Sequence, residues 1–210
     1  MYNLPYFKEE DAEKVLRFVK EHPFALLCGS DKNNHPVATQ IPVFIDEREG
    51  RLFLSGHIMR NTDHHKAFLQ NPNVLAVFTG ANTYVSASWY EDKQQGSTWN
   101  YMSVHAKGSL RFGDEKTLLD ILKRTTTHFE NDPNSGANFE DLPREYINSM
   151  VKAIVVFEIE VQSMDHVFKL SQNRDEKSYQ NIIDKLKQRD NGAKEIASIM
   201  EDRKSTVFPS

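Results

Sequence analysis

The chain has 210 residues, of which 39% are hydrophobic and 27% are charged, so it can bury a sizeable core as one globular domain, or as one domain with a small appendage. Its formal net charge of −4 gives no indication of binding to nucleic acid or to an anionic membrane surface. Its one cysteine, Cys28, cannot form an intrachain disulfide, and its longest apolar runs, about five residues, are far below the roughly 20 needed to span a bilayer. We therefore expect a soluble cytoplasmic protein without a signal peptide.

The first elements in chain order are a helix and three strands. Apolar residues at helical spacing predict a helix over residues 9–21, which a His-Pro pair ends. Alternating segments then predict strands over 24–30, 35–46 and 51–57. Because short polar turns join these strands, we expect them to pair in antiparallel fashion.

The rest of the chain continues with strands and helices in mixed order. Further strands are predicted over 74–80, 83–90, 99–112 and 153–161, and helices over 63–69, 114–129, 144–152, 177–189 and 193–202. Six or seven strands with few helices between them suggest a small closed barrel. The expected fold class is α+β, mainly β, with peripheral helices. We expect a barrel domain over residues 1–170, and a C-terminal helical extension over 171–210 that packs on it.

The junction between strand 51–57 and helix 63–69 gathers groups that could hold an anion. Arg60 and Asn61 come directly before the start of the helix, where free backbone N–H groups favour a phosphate, and Ser55 and Thr62 add hydroxyl donors. This pattern suggests a phosphate site for a nucleotide-like cofactor. The alternative is that Asn61 or Thr62 simply caps the helix while Arg60 is a solvated surface residue.

A metal site at the same junction is disfavoured. It would use His57, Asp63, His64 and His65, but adjacent histidines on a helix point about 100° apart and cannot easily share one metal. The sequence also has no H-E-x-x-H or C-x-x-C motif, and it has no Rossmann, P-loop or nucleophile-elbow motif. We therefore predict no metal.

Aromatic residues flank the polar loop 91–98. They are Tyr84, Trp89, Tyr90, Trp99 and Tyr101, and Asn100 and His105 bring polar groups into the same strand. Such side chains suit a wall on which a planar ring stacks. They suit an oligomer interface or a packed core equally well.

Two features of the C-terminal region could act as binding elements. The segment FKLSQNR (168–174) collects polar and cationic residues after an apolar strand, either as a surface turn or as a second contact for an anionic ligand. Helix 193–202 carries one lysine and two glutamates in the run AKEIASIME, so it lacks the basic face of a DNA-recognition helix. We expect it to pack through Ile196, Ile199 and Met200 instead.

Five collinear segments carry a resemblance to a known family. They read HPFALLCGSDKNNHPVATQIPVFID, LSGHIMRNTDHHKAF, YVSASWY, TWNYMSVHAKG and FKLSQNR. In this order they resemble the PaiB-type FMN-binding proteins, which are described as negative transcriptional regulators of sporulation and protease genes. The resemblance runs from Tyr2 to Met200. It implies a split β-barrel homodimer, akin to the pyridoxamine-phosphate oxidase superfamily, with FMN at the subunit interface.

The resemblance also implies the residues that contact FMN. Contacts that include those to the phosphate are expected from Ser55, Gly56, His57, Arg60, Asn61 and His64. Contacts to the isoalloxazine and the ribityl chain are expected from Thr39, Gln40, Ile41 and Pro42. The partner subunit is expected to supply Trp99, Asn100 and His105, and Lys169 and Arg174 are additional candidates. The oxidase has an arginine where this chain has Thr39, which argues against pyridoxamine-phosphate oxidation.

Three functions are compatible with these residues. The first is an FMN-binding negative transcriptional regulator, whose contact with DNA, if any, is weak or indirect. The second is a flavin-dependent oxidoreductase that acts on a small molecule with a nicotinamide or another reductant. The third is a haem-handling protein of the same superfamily, in which His57 or His105 would be the axial ligand.

Overall fold

The computed structural model describes residues 1–209, so Ser210, the last residue of the expected C-terminal extension, lies outside the described part of the chain. Within those residues there are seven strands and six α-helices. The strands are β1 (Phe24–Ser30), β2 (Pro36–Pro42), β3 (Phe44–Arg48), β4 (Arg51–Met59), β5 (Asn73–Val85), β6 (Thr98–Phe112) and β7 (Ile154–Lys169). The helices are α1 (Ala12–Glu21), α2 (Asp63–Gln70), α3 (Glu115–Glu130), α4 (Arg144–Ala153), α5 (Glu176–Leu186) and α6 (Asn191–Val207).

All seven strands belong to one sheet. Its hydrogen-bonded order is β2-β1-β5-β6-β7-β4-β3, which is a linear order that begins at β2 and ends at β3. The pairings of β1 with β2, of β1 with β5, of β3 with β4 and of β4 with β7 are antiparallel. The antiparallel pairing expected from the short turns is therefore confirmed for β1 with β2 and for β3 with β4.

The predicted strand 35–46 is in fact two strands. It breaks at Val43, whose backbone N–H donates to the carbonyl of Pro23 (2.9 Å) instead of to a ladder partner. On one side of the break β2 pairs with β1, and on the other side β3 pairs with β4. Because of this break, residues 36–48 supply the two edge strands of the sheet, β2 at one edge and β3 at the other.

The predicted strands 74–80 and 83–90 are corrected to one strand, β5, followed by a short 3₁₀ helix (Ala87–Trp89). Gly80, the last residue of the first predicted strand, lies within β5. A Cβ there would lie 2.9 Å from the Phe18 ring and 3.2 Å from His22 Nε2, so the glycine gives room for α1 and makes no turn.

The last strand is longer than expected. Strand β7 was predicted to end at residue 161 but continues to Lys169. The continuation begins with polar and exposed residues and ends in buried Val167 and Phe168. The segment FKLSQNR therefore begins inside the strand, with Lys169 as its final residue.

The chain divides into two compact units. Unit 1 comprises residues 1–22, 78–104 and those from 165 onward, and unit 2 comprises residues 23–77 and 105–164. In unit 1, α5 and α6 lie side by side, and α6 packs through buried Ala193, Ile196, Ala197 and Met200, much as predicted. The domain division at residue 170 stays a prediction.

A packed cluster joins α3 and the start of β7 in unit 2. Buried Leu118, Ile121 and Leu122 of α3 pack with Ile154 and Val156 of β7. Across residues 1–209, no helix is both long enough and apolar enough to cross a membrane, and no three His, Cys, Asp or Glu side chains group so that they could hold a metal ion.

Candidate functional site

The turn between β4 and α2 in unit 2 is tightly built. The Arg60 backbone N–H donates to the Ala153 carbonyl (2.8 Å), and Asn61 has φ 64°, in the left-handed region that asparagine tolerates. Thr62 is the N-cap of α2, as predicted. Its Oγ1 accepts from the His65 N–H (3.3 Å) and donates to the Met59 carbonyl (3.0 Å).

The first N–H groups of α2 already have partners inside the chain. The His64 N–H donates to Asp63 Oδ1 (2.7 Å), and the Asn61 N–H donates to His65 Nδ1 (3.1 Å). The capping alternative is therefore realised in the backbone of this turn. Unlike these backbone N–H groups, the exposed Arg60 side chain has no hydrogen bond or ion pair with any described residue. The group that remains available to an anion here is the guanidinium.

His65 is the structural residue that the sequence-based site left out. Its ring is buried, accepts the Asn61 N–H and meets the edge of Phe112 with ring centroids 5.0 Å apart. Burial first, and then the positive charge of Arg60, lowers the pKa of His65. His64 lies beside it, half-buried, with Nδ1 3.0 Å from Asp63 Oδ1. The adjacent pair His64-His65 could have indicated this in the sequence. Two adjacent helical residues cannot face the same way, so one histidine of the pair is turned toward the interior.

Strand β4 places Ser55, Gly56 and His57 in succession. Ser55 is 7% exposed, and its Oγ has no hydrogen-bond partner among residues 1–209, although the hydroxyl lies close enough to Asp46 to help lower the pKa of that carboxyl. An orphaned buried hydroxyl is costly and suggests a missing partner. Burial lowers the pKa of the half-buried His57, which favours its neutral imidazole.

The end of β2 lies against β4. A Cβ on Gly56 would lie 3.0 Å from the Pro42 carbonyl oxygen, so the glycine permits this close approach of the two strands. Helix α2 also packs beside β1 and β2. Unit 2 therefore brings together segment 39–42, the Ser55–His57 segment and the start of α2. Within segment 39–42 Ile41 is buried, Gln40 is exposed, and Thr39 pairs with Leu27.

A cavity of about 700 Å³ lies beside Ser55 in unit 2. Its walls carry ion pairs that the sequence did not suggest. Arg124 makes a two-point ion pair with Asp46 (2.7 and 2.8 Å), and Arg48 pairs with Glu158. The Arg124 pairing is the main cause that lowers the pKa of Asp46. The cavity includes Ser55 but not Arg60, so it coincides only in part with the predicted site.

Of the other candidates, His105 lies in unit 2, half-buried on β6, whereas Trp99, Asn100, Lys169 and Arg174 lie in unit 1. Asn100 is fully buried: its Nδ2 donates to Met200 Sδ (3.4 Å) and its Oδ1 accepts from Ser171 Oγ (3.0 Å). Both ends of its amide are engaged inside the unit, so we assign it to the packing of the C-terminal region and not to a ligand.

Trp99 is exposed and meets the edge of Tyr84, with ring centroids 6.0 Å apart. Trp99 and Tyr101 line a cavity of about 300 Å³ with Thr79, Gly80, Asn82 and Met102. This cavity has the aromatic wall that the sequence suggested, within unit 1. Its size suits a fragment or one ring of a ligand.

The residues of unit 2 fit the groups that FMN presents. An unengaged guanidinium at Arg60 matches the phosphate, and an orphaned buried hydroxyl at Ser55 matches a polar ligand atom. His57, whose imidazole is neutral, lies on β4 with Ser55 and comes between Ser55 and Arg60 in sequence. Nothing in this set opposes a flavin.

Solved structures with similar folds give the class of protein. The conserved hypothetical protein Rv2991 from Mycobacterium tuberculosis has a TM-score of 0.56 and 10% identity, over 80% of this chain and 91% of that one. The FAD and heme binding protein from Mycobacterium smegmatis has a TM-score of 0.55 and 16% identity, over 77% of this chain and 72% of that one. The fold is the α+β split β-barrel with peripheral helices, as predicted.

Sequence comparison gives the family. Residues 1–163 match the family model described as "Putative FMN-binding domain", and the chain belongs to that family, whose cofactor is FMN. The chain is also 31% identical over 204 residues to the Protease synthase and sporulation protein PAI 2 of Bacillus subtilis (strain 168), covering 97% of this chain and 98% of that protein. An uncharacterized protein of Emericella nidulans is 22% identical over 244 residues. The resemblance to the PaiB type is confirmed.

Proposed function

We propose that the chain binds FMN through the β4–α2 junction of unit 2, with Arg60 holding the phosphate. The observation that carries this proposal is the unengaged Arg60 guanidinium, which is fixed at its base by the backbone bond to Ala153. The Asn61 side chain borders the same turn, while Ser55 donates a hydroxyl from β4. Segment 39–42 contributes the edge along which the ribityl chain and the ring lie.

FMN, when bound, supplies one- and two-electron redox chemistry. The residues of this chain bind and orient it. A guanidinium recognises a phosphate through two parallel hydrogen bonds and keeps its charge at all working pH values. His57, held neutral by burial, presents one ring donor and one ring acceptor toward polar atoms.

The active form in this proposal is a homodimer with FMN at the subunit interface. Phe24 and Leu26 support it, since they are exposed on the same side of β1 (61% and 38%). Apolar side chains in that position favour burial against a second copy. In that dimer Trp99 and His105 of the partner subunit contact the flavin, as the family resemblance implies.

The biological role that we propose is regulatory, as the name of PAI 2 suggests, and this role implies a cytoplasmic location. Direct DNA reading by the C-terminal helices is disfavoured because several lysines of this region are ion-paired within the chain. Among the described residues this leaves, as the unpaired lysines of the two helices, Lys185 and Lys194. Lys187 pairs with Glu201 (2.6 Å) and Lys204 with Glu176 (3.2 Å). Regulation would then depend on the bound flavin and not on the binding of a basic helix to DNA. A gel shift that is specific and survives raised salt would contradict this indirect version.

A flavin-dependent oxidoreductase is the second candidate, favoured by the aromatic cavity at Trp99 and Tyr101. Its test is the bleaching of bound flavin by NADH or NADPH under anaerobic conditions. Rapid bleaching followed by reoxidation with an added acceptor would support this function, and no reduction by either nicotinamide would count against it.

The test of FMN binding is an absorbance spectrum after the protein is mixed with FMN and desalted. The wild type should retain flavin bands near roughly 370 and 450 nm, a signature of the cofactor. Arg60→Ala should lose them. Arg144→Ala is the matched control, because Arg144 is another exposed arginine of unit 2, at the start of α4. Equal retention by all three proteins would overturn the assignment of Arg60.

A further inference from the structure

The last residue of β7 and the turn that follows it hold two cations, Lys169 and Arg174, in fixed positions. The amide group of Gln172 forms two hydrogen bonds with the backbone. Its Oε1 accepts from the Leu170 N–H (2.7 Å), and its Nε2 donates to the Phe168 carbonyl (2.5 Å). Ser171 takes a left-handed φ of 62° and donates to buried Asn100. The Arg174 N–H then donates to the Ser171 carbonyl (3.0 Å). This is a built turn, not a mobile surface loop.

Lys169 and Arg174 stand at the two ends of that turn, and the charge of Arg174 is close enough to Asp92 to help lower the pKa of that carboxyl. Lys169 Nζ donates to Thr98 Oγ1 (2.6 Å), and neither cation makes an ion pair with a carboxylate in the described part of the chain. Both side chains are partly buried. Burial, and then the charge of Arg174, lowers the pKa of Lys169. Two neighbouring cations that are partly withdrawn from water favour the arrival of an anion.

Two buried polar atoms beside the same cations lack partners. Arg174 Nε is buried with no hydrogen bond among residues 1–209, and the same is true of the hydroxyl of Tyr90, a residue only 1% exposed. The Arg174 guanidinium lies over the Tyr90 ring, 4.2 Å from its centroid. Burial raises the pKa of Tyr90, while the charge of Arg174 and then the approach of its guanidinium to the hydroxyl oxygen oppose that rise. The Tyr90 hydroxyl therefore stays protonated, and its hydrogen has no acceptor among residues 1–209. Native proteins rarely leave such groups unsatisfied without a function.

We propose that Lys169, Arg174 and Tyr90 form a binding site in unit 1 for the oxyanion of a small molecule, a carboxylate or a phosphate group. Lys169 supplies a point charge, Arg174 a planar donor, and Tyr90 a hydroxyl donor. This site is separate in its residues from the proposed FMN phosphate contact at Arg60. It goes beyond the proposed function because it would give the protein a second ligand, either a substrate or an effector.

The alternative is a purely structural cluster. In that case Arg174 only packs on Tyr90. Lys169 then only ties β7 to the start of β6 through Thr98 and lies over the Tyr2 and Phe7 rings, 5.4 and 5.7 Å from their centroids.

Other lysines of unit 1 show how this chain treats a structural cation. Lys8 pairs with Asp165 (2.5 Å) and Lys177 pairs with Glu91 (2.7 Å). Lys93 has no acid among the described residues either, but the carbonyls of Ser88 and Tyr90 accept its hydrogen bonds. The feature that separates a ligand site from a structural one is therefore the pair of buried polar atoms beside Lys169 and Arg174, namely Arg174 Nε and the Tyr90 hydroxyl, that lack partners among residues 1–209.

The test measures the pKa of Lys169 by NMR on full-length, FMN-treated protein whose lysines carry ¹³C-methyl groups. Inorganic phosphate and acetate are the probes, at constant ionic strength so that screening does not change. A bound oxyanion should raise the pKa of Lys169 toward its ordinary value. Lys177 is the internal control, since it already has its acid. The Lys169 signal is assigned from Lys169→Arg.

Variants separate this site from the flavin site. In Arg174→Gln the pKa of Lys169 should rise without any ligand, and half-saturation by the better probe should need about tenfold more of it, as expected for the loss of one charged hydrogen bond. Arg60→Ala should leave the response of Lys169 unchanged, even where FMN is no longer retained. If neither probe shifts Lys169, or if both shift Lys177 equally, the proposal is wrong. A response to phosphate alone or to acetate alone identifies which oxyanion the site prefers.

Discussion

Polar residues of the same type have opposite fates in this chain. Asn61 lies in an exposed turn beside a free arginine, whereas Asn100 is fully buried between Met200 and Ser171. The sequence placed both in the cofactor site because residue type and the family resemblance do not report burial. Only the packing of α6, far along the chain, engages the amide of Asn100. This part of the candidate site could not be predicted from local sequence.

Asn100→Ala should destabilise the protein by about 2–3 kcal/mol, because it creates a cavity and leaves the Ser171 hydroxyl without its acceptor. Urea unfolding measures this change in free energy. Ser171→Ala and the double variant complete a mutant cycle, in which the two losses should be less than additive. Unchanged unfolding accompanied by lost flavin would reverse our assignment and return Asn100 to the cofactor site.

Buried histidines should make stability depend on pH below neutrality. The pKa of His57, His65 and His166 lies below the ordinary value of 6.5 in the folded state, chiefly because of burial. As the pH falls, these histidines therefore bind protons in the unfolded state before they do so in the folded state. The free energy of unfolding should thus have its highest value above pH 6.5 and should decrease below it. Urea unfolding at about pH 7.5 and about pH 5.5 measures the decrease, in a window above the ordinary carboxyl range.

His65→Gln should show a smaller decrease over that window, because it removes one of the groups that must be protonated. His128→Gln is the control, since His128 is exposed on α3. A decrease in His65→Gln as large as that in the wild type would show that His65 does not contribute.

At the scale of elements, hydrophobic periodicity was enough to predict the type and bounds of a segment wherever one of its faces is buried. Helix α1, strand β1 and helix α3 lie within about three residues of their predicted bounds. The errors have physical causes. Two strands were predicted where β5 runs on through Gly80, which makes room for Phe18. The strand break at Val43 depends on a hydrogen bond to Pro23, 20 residues away in sequence.

The close approach of β2 to β4 gives a prediction about the site. Gly56→Ala should lower stability by about 1–3 kcal/mol, because the new methyl group would lie 3.0 Å from the Pro42 carbonyl and 3.1 Å from the Phe157 ring. It should also weaken FMN binding by displacing segment 39–42. Gly96→Ala is the matched control, since nothing lies within 4 Å of a Cβ there. Thermal unfolding and flavin retention that are the same in both variants would refute a role for the close approach.

At the scale of the whole molecule, the proposed function needs a second copy of the chain. Phe24→Asp should convert the proposed dimer to a monomer and reduce flavin retention, because a charge would replace the exposed phenyl ring that we propose as an interface contact. Sedimentation velocity measures the assembly state. Tyr146→Asp is the control, an aromatic residue of unit 2 that is 54% exposed. A wild type that sediments as a monomer while binding FMN fully would eliminate the interface site.

The most direct test of the central claim compares FMN with riboflavin, which lacks the phosphate. Quenching of flavin fluorescence gives the dissociation constant of each ligand for the wild type and for Arg60→Ala. If Arg60 holds the phosphate, the variant should lose about 10- to 100-fold in affinity for FMN, as expected for a charged hydrogen bond, and should bind riboflavin as the wild type does. An equal loss for both ligands, or none for either, would contradict the phosphate site at Arg60.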